Sequence, residues 1–388
     1  MSLSTSSQRS FSEVFGCEAL VVARSPGRVN LIGEHVDYQM GRVMPFAVDR
    51  YIDCAAAPIS EPEIRIWSSC IGGAPLRMAL SELRPLEGND AWANYVLGVV
   101  AEYVRAGVEV AGFEAVINGD LPPGAGLSSS AALESVTALV IESLSGCPKS
   151  PMERSKLCQA AEHAFAGVPC GLMDQLAVNH GRAGHALMID CRDLTLTPLP
   201  LPAELSFVMV NSGVRHALAD GEYARRKADC EAAASMLGLT TLREAELSVV
   251  DAARESLGDR LYRRARHIVT ENARVERFAE ALKNGDRAEL GRLMAASHAS
   301  LRDDYEVSCA ELDVLVELAT GLGAVGTRMT GGGFGGCTIN LVPREQAATF
   351  CEGICTTCQE RQGQTVEAFT VEPVDGAAIL YTTPRTDL

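Results

Sequence analysis

No stretch of this chain approaches the roughly 18 uninterrupted apolar residues of a membrane-crossing helix. Its first residues, MSLSTSSQRSFSEVFG, lack the charged-then-apolar order of a secretory signal. No membrane partner is expected, and a cytoplasmic location is. Basic residues are scarce: 34 Lys and Arg stand against 50 Asp and Glu, a formal charge of -16, which repels a nucleic-acid backbone at long range. Nucleic acid is therefore not an expected partner. A small anion such as a nucleotide still is, because a local nest of backbone amides can outweigh the global field. No GxxxxGK[ST] motif occurs, which disfavours a P-loop NTPase, and the seven histidines form no HExxH or similar metal pattern. There is no repeat of about 20 to 50 residues and no linker rich in Pro, Gly or Ser.

What is present is ordinary for a folded protein: 47% hydrophobic and 22% charged residues over 388 positions, enough for two or three domains at roughly 150 residues each. Thirteen cysteines are scattered without an export signal, so free thiols are expected rather than a disulfide framework. Strands are expected at 20–24, 114–118, 185–190, 206–211 and 337–342, where apolar or alternating runs are bounded by turn residues. Leu133, Val136, Val140 and Leu144 share one face of a helix that Ser128 to Ser130 can cap and Gly146 ends. Further helices are expected at 151–166, 221–237, 263–300 with a break at Asn284-Gly285, 311–320 and 346–361. The proline-rich segment LTPLPLPAEL reads as an exposed connection, placing a domain change near Pro202: residues 1–202 and 203–388, with the last strands free to return to the first domain. Helices and strands mix without a regular βαβ repeat, which favours α+β.

Several segments carry candidate chemistry. PPGAGLSSSAA at 122–132 lies between a strand and a helix, where glycines let backbone approach a ligand and free amides at the helix start attract phosphate; a serine-capped turn is the plainer alternative. GGGFGG at 331–336 fits GxGxxG only by force, because an alternating strand follows where a dinucleotide site needs a helix; a hairpin loop lining a cleft fits better. Cys351, Cys355 and Cys358 share one face of a helical segment and read as core rather than a cluster site. Arg28, Asn30, Glu34, His35, Asp37 and Tyr38 form the densest polar group, interleaved with Val29, Leu31 and Ile32, a pattern suited to a polyhydroxylated ligand. Asp174, flanked by apolar residues, needs a buried partner, for which Arg28 is the candidate; a structural ion pair is the alternative.

GRVNLIGEHVDYQMGRVMPFAVDR at 27–50, LPPGAGLSSSAALE at 121–134 and GTRMTGGGFGGCTINLV at 326–342 resemble the three motifs of the GHMP small-molecule kinases. GVPCGLMDQ at 167–175, NSGVRHALADGEYARRKADCE at 211–231 and SLRDDYEVSCAELD at 300–313 extend the likeness from about residue 20 to the C-terminus. The first motif is the specific one and resembles the members that phosphorylate galactose; the other two are shared with kinases of mevalonate, homoserine and other small alcohols. The resemblance implies an α+β fold with an N-terminal domain like the second domain of ribosomal protein S5 and a ferredoxin-like C-terminal domain, the site lying between them. It implies ATP-dependent phosphoryl transfer to the anomeric hydroxyl of galactose with Mg2+, giving galactose 1-phosphate and ADP. By the same resemblance Asp174 is the catalytic base and Arg28 orients it and stabilises the transition state. Glu34, His35, Asp37, Gly171 and Tyr223 contact the sugar. Gly124, Ala125, Gly126, Leu127, Ser128, Ser129 and Ser130 form the ATP loop, and Ser130 and Glu162 hold the metal. A monomer or weak homodimer is expected.

Phosphoryl transfer asks mainly for alignment and charge neutralisation. Carboxylates are weak bases toward a sugar hydroxyl, so Asp174 is expected to act first as an orienting acceptor. The sequence departs from the family's usual HTDYNGGFVLP at Val36, Gln39, Met40 and Arg42, which is expected to alter a wall of the sugar pocket. The alternatives are a related sugar 1-kinase acting on N-acetylgalactosamine or arabinose, and a non-catalytic galactose-and-ATP sensor. A Rossmann oxidoreductase rests on GGGFGG alone.

Overall fold

A computed structural model describes residues 3–122, 126–215 and 219–382. In chain order the elements of the first half are α1 (Leu3–Phe15), β1 (Val21–Asn30), β2 (Arg42–Val43), β3 (Pro45–Pro58), β4 (Glu63–Ser68), β5 (Leu76–Ala79), α2 (Asn94–Arg105) and β6 (Phe113–Gly119). They continue with α3 (Ser129–Ser145), α4 (Pro151–Ala161), a π turn (Glu162–Ala166), α5 (Met173–His180), β7 (His185–Asp190) and β8 (Thr195–Pro200). The second half holds β9 (Leu205–Arg215), α6 (Ala219–Met236), α7 (Leu247–Ala252), α8 (Arg254–Asn284), α9 (Arg287–Asp303) and α10 (Ala310–Gly321). It closes with β10 (Gly326–Thr330), β11 (Gly335–Pro343), α11 (Ala347–Gln362), β12 (Glu367–Val371) and β13 (Ala378–Thr382).

The fold is α+β. A six-stranded sheet has the order β13-β1-β3-β6-β4-β5, a four-stranded sheet β10-β11-β9-β12, and a three-stranded sheet β2-β7-β8. Among the described residues only β4 and β6 pair in parallel; β13, from the end of the described chain, pairs with β1 near its start. Alternation along β1 and β3 sends Val21, Ala23, Ile52, Cys54 and Ala56 toward α2 and α3, while Val22, Ala55 and Ala57 face Phe11 of α1. Strands covered on both faces read as continuous apolar runs rather than alternating ones. A second core joins the two halves: Val29 and Phe46 pack with Phe207, Met209, Val275 and Phe278, and the rings of Phe46 and Phe207 lie 4.8 Å apart. Burial of this apolar surface is the principal force holding the sheets in register across the cleft.

Two readings of the sequence need correction here. The segment taken as an exposed connection contains β8, whose prolines are tolerated because β8 is the outer strand of its sheet and pairs only with β7. The helix α3 does begin at the serines and ends on Gly146 in the left-handed conformation, but no serine side chain caps it; Ser128 is itself left-handed, at φ 54°. Its hydroxyl is committed elsewhere, as shown below.

Candidate active site

Two cavities meet between the halves. The larger, about 610 Å3, is lined by Ser128 to Ser130 at the start of α3, by Trp92 and Tyr95, and by the glycine loop after β10. The smaller, about 200 Å3, is polar and is lined by Glu34, His35, Asp37, Glu162, Gly171 and Asp174, among others. Arg28, Tyr223, Gly331 and Gly332 line both. The site residues that the family resemblance names are thus brought together, apart from Gly124 and Ala125, which lie outside the described residues, whereas Asn30 and Tyr38 of the polar group line neither cavity.

Arg28, near the end of β1, and Asp174, in the first turn of α5, form a two-pronged ion pair. Nε donates to Oδ1 and Nη2 to Oδ2, each at 2.7 Å. Such bidentate geometry is the strong form of the interaction. Nη1 of Arg28 also donates to the Gly126 carbonyl at 2.6 Å, tying the pair to the loop before α3. Ser128, instead of capping its helix, donates its hydroxyl to Asp174 Oδ2. Three hydrogen bonds therefore occupy the Asp174 carboxylate, leaving about one of its roughly four acceptor positions for a substrate hydroxyl.

Glu34 and His35 face the small cavity and also hold the glycine loop. Glu34 accepts from Asn30 Nδ2, Thr330 Oγ1 and the Gly331 amide, each at 2.9 Å, with Arg328 Nη2 3.4 Å away. Most of its capacity is thus spent on protein. The loop itself, Gly331 to Gly336, connects β10 to β11 as an antiparallel hairpin. Gly331, Gly333, Gly335 and Gly336 all have positive φ, and a Cβ on Gly333 would lie 2.2 Å from the Val307 carbonyl. Conformation and close packing, not a dinucleotide, explain this glycine density.

Gly171 has a comparable reason: a Cβ there would lie 1.9 Å from Asp37 Oδ2. The Asp37 carboxyl is pushed up to about 6 by burial, and by the charges of Asp174 and Glu34.

Glu162, in the π turn, sits beside Glu134 of α3, and both are raised above the usual carboxylate range: first by burial, then by charge, Asp174 acting on Glu162 and Glu162 on Glu134. Gln175 Nε2 bridges them, donating to Glu162 at 2.7 Å and to Glu134 at 3.1 Å, and Ser130 is close enough to Glu162 to lower its pKa somewhat. An excess of carboxylates beside a hydroxyl is an all-oxygen set that suits a hard divalent cation. Glu134 and Gln175 were not singled out in the sequence; the signal available was Gln175 following Asp174 in MDQ, a donor placed where buried acids need one.

The expectation that Arg42 alters the sugar pocket fails. Arg42 lies on β2, pairs with Asp190 at 3.0 Å and with Glu276 of α8, and lines neither cavity. Val36 is core, Gln39 is buried and accepts from the Leu242 amide at 3.0 Å, and Met40 is 44% exposed in the turn before β2. Pairing of β2 with β7 sets Arg42 beside Asp190 rather than in the pocket. The cysteines on α11 belong to a hydrophobic cluster, Cys358 fully buried and Cys351 and Cys355 packed against it. Among the described residues no helix is long and apolar enough to cross a membrane.

This arrangement, a glycine hairpin and a serine-led helix start flanking an acid–guanidinium couple, defines the GHMP kinase class. The N-terminal GHMP kinase domain matches residues 94–182 and the C-terminal one residues 278–359. A galactokinase galactose-binding signature matches residues 9–58. The chain is 44% identical over 384 residues to galactokinase of Homo sapiens, covering 96% of this chain and 95% of that protein. It is 43% identical over 338 residues to the Streptomyces coelicolor galactokinase, covering 86% and 87%. Lactococcus lactis galactokinase, solved in complex with galactose, superposes with a TM-score of 0.91 at 33% identity, over 96% of this chain and 98% of that one. Mevalonate kinase from Methanococcus jannaschii, at 19% identity and a TM-score of 0.66 over 92% and 99%, shares the fold alone. The chain belongs to the galactokinase family.

Proposed function

We propose that this protein transfers the terminal phosphoryl group of ATP to the anomeric hydroxyl of galactose, releasing galactose 1-phosphate and ADP. The observation that carries the reading is the placement of Asp174: in the small polar cavity, clamped by Arg28 and hydrogen-bonded to Ser128 of the larger one. The larger cavity, with the exposed start of α3, takes the nucleotide phosphates. The smaller takes the sugar, whose hydroxyls meet Asp37 and Tyr223 while the His35 ring, its nitrogens both engaged by protein, forms part of the wall, and Gly171 allows the close approach of Asp37. Asp174 accepts the hydrogen bond of the anomeric hydroxyl and aims it at the phosphorus; the proton passes to the carboxylate late, as the new bond forms. Arg28 neutralises charge that spreads over the transferred group.

Ser130 and Glu162 would hold Mg2+, with Gln175 fixing the Glu162 carboxylate. When bound, the ion neutralises phosphate charge. The domain division near Pro202 fits this reading, since the sugar motif and the start of α3 precede it and the glycine hairpin follows. No observation favours another sugar, because the four divergent residues of the first motif face away from the cavity. An assay coupling ADP release to galactose, glucose, N-acetylgalactosamine and arabinose, with ATP and Mg2+, should show turnover with galactose well above the rest. Turnover with one of the other three and none with galactose would assign a different sugar 1-kinase.

A further inference from the structure

Behind the sugar cavity runs a largely buried chain of hydrogen bonds whose direction is fixed by the Gly332 carbonyl at one end. His35 Nε2 lies 3.0 Å from the Gly332 carbonyl, His35 Nδ1 3.0 Å from Tyr38 Oη, Tyr38 Oη 2.6 Å from Tyr305 Oη, and Tyr305 Oη 3.1 Å from Cys230 Sγ. A carbonyl only accepts, so Nε2 carries a proton and donates to Gly332. Burial lowers the His35 pKa to about 4, so the ring is neutral and its Nδ1 is an acceptor. Tyr38 therefore donates to Nδ1. Having one proton, Tyr38 must accept from Tyr305, and Tyr305 in turn accepts from the Cys230 thiol. The rings of His35 and Tyr305 pack 5.1 Å apart, and Tyr305 is fully buried.

We propose that Tyr38 is a positioning residue of the phosphoryl transfer, acting through the His35 tautomer to hold Gly332 in the wall shared by the two cavities. Tyr38 itself lines neither cavity, so it does not touch either substrate. Gly331 and Gly332 line both, and the wall is pinned at two successive points, Glu34 accepting from the Gly331 amide and His35 donating to the Gly332 carbonyl. Loss of the Tyr38 hydroxyl leaves Nδ1 buried without its donor and frees the ring to turn, which releases the second pin. The consequence falls on the step that needs both cavities in register, more than on the binding of either ligand alone.

The inference rests on the proposed kinase reading for its kinetic part only; the proton position is read without any substrate. In the full-length wild-type protein labelled with 15N-histidine, His35 should show the Nε2-protonated tautomer with an Nδ1 resonance displaced by an accepted hydrogen bond. In Tyr38→Phe that Nδ1 displacement should vanish. In the same variant kcat for galactose phosphorylation should fall about tenfold, the order of one lost hydrogen bond, while KM for galactose and for ATP each change less than about threefold. A wild-type ring protonated at Nδ1 overturns the proposal even if the variant does not fold. So does a variant whose kcat stays within about twofold of wild type, or one in which only the galactose KM moves.

Discussion

Asp174 is held more firmly than a general base needs to be. Its two bonds to Arg28 and one to Ser128 fix the carboxylate's direction and leave a single acceptor position facing the small cavity, which suits a group that orients a hydroxyl. Asp174→Asn keeps the size but places an amide against the Arg28 guanidinium, where donor faces donor. Turnover should fall by at least about a thousandfold, whereas nucleotide affinity measured by calorimetry should stay within about threefold, because the phosphate site is built from the start of α3. Turnover within about tenfold of wild type would remove Asp174 from the reaction. The Arg28–Asp174 pair was legible because an acid among apolar neighbours must find a cation. The roles of Ser128 and Glu34 were less so: nothing local distinguishes a serine that caps a helix from one that turns to a carboxylate 46 positions away. Nor does the sequence reveal that the oxygens of Glu34 are already engaged by protein donors.

Helix α8 supplies the foundation of the first motif. Its Glu271, fully buried, accepts from the Gly33 amide at 2.9 Å, from Ser297 at 2.7 Å and from Arg274 Nε at 2.6 Å. Burial alone would raise this carboxyl; Arg274, His267 and Arg328 together with the Ser297 bond bring it from 4.5 down to about 2. A pKa depressed on folding gives stability that is present in full above about 4.5 and lost as pH falls toward about 2. Its size at neutral pH is roughly 3 kcal/mol. Glu271→Gln should therefore lower stability to denaturant by about that amount at pH 7, the gap narrowing below about pH 4.5. A gap independent of pH would show that the carboxylate charge is not what matters. The elements that the sequence disclosed best were those with clear ends, such as α3, which stops on Gly146, and the hairpin strand β11. The N-terminal helix α1 places Phe11, Val14 and Phe15 on one face at helical spacing, but the serines around them read as a polar leader rather than a helix. β3 is buried along most of its length, which removes the alternation that marks a strand, and β8 hides behind prolines that only an edge position permits.

The two halves of the molecule are joined by a shared apolar core, by β13 returning to β1, and by the polar pins from Glu34 and His35 to the glycine hairpin. Mixed α+β architecture and the convergence of three distant motifs could be read from their order and spacing. The side on which Arg42 falls could not, since two residues of β2 decide it by pairing with β7. Catalysis in this arrangement is a matter of placing a sugar oxygen against a phosphorus, so its most direct test is a crystal structure of the protein bound to galactose and a non-hydrolysable ATP analogue. The anomeric oxygen should lie about 3 Å from an Asp174 oxygen, on the side of the terminal phosphorus opposite the bridging oxygen. An anomeric oxygen turned away from Asp174, with another carboxylate or water in its place, would contradict the account.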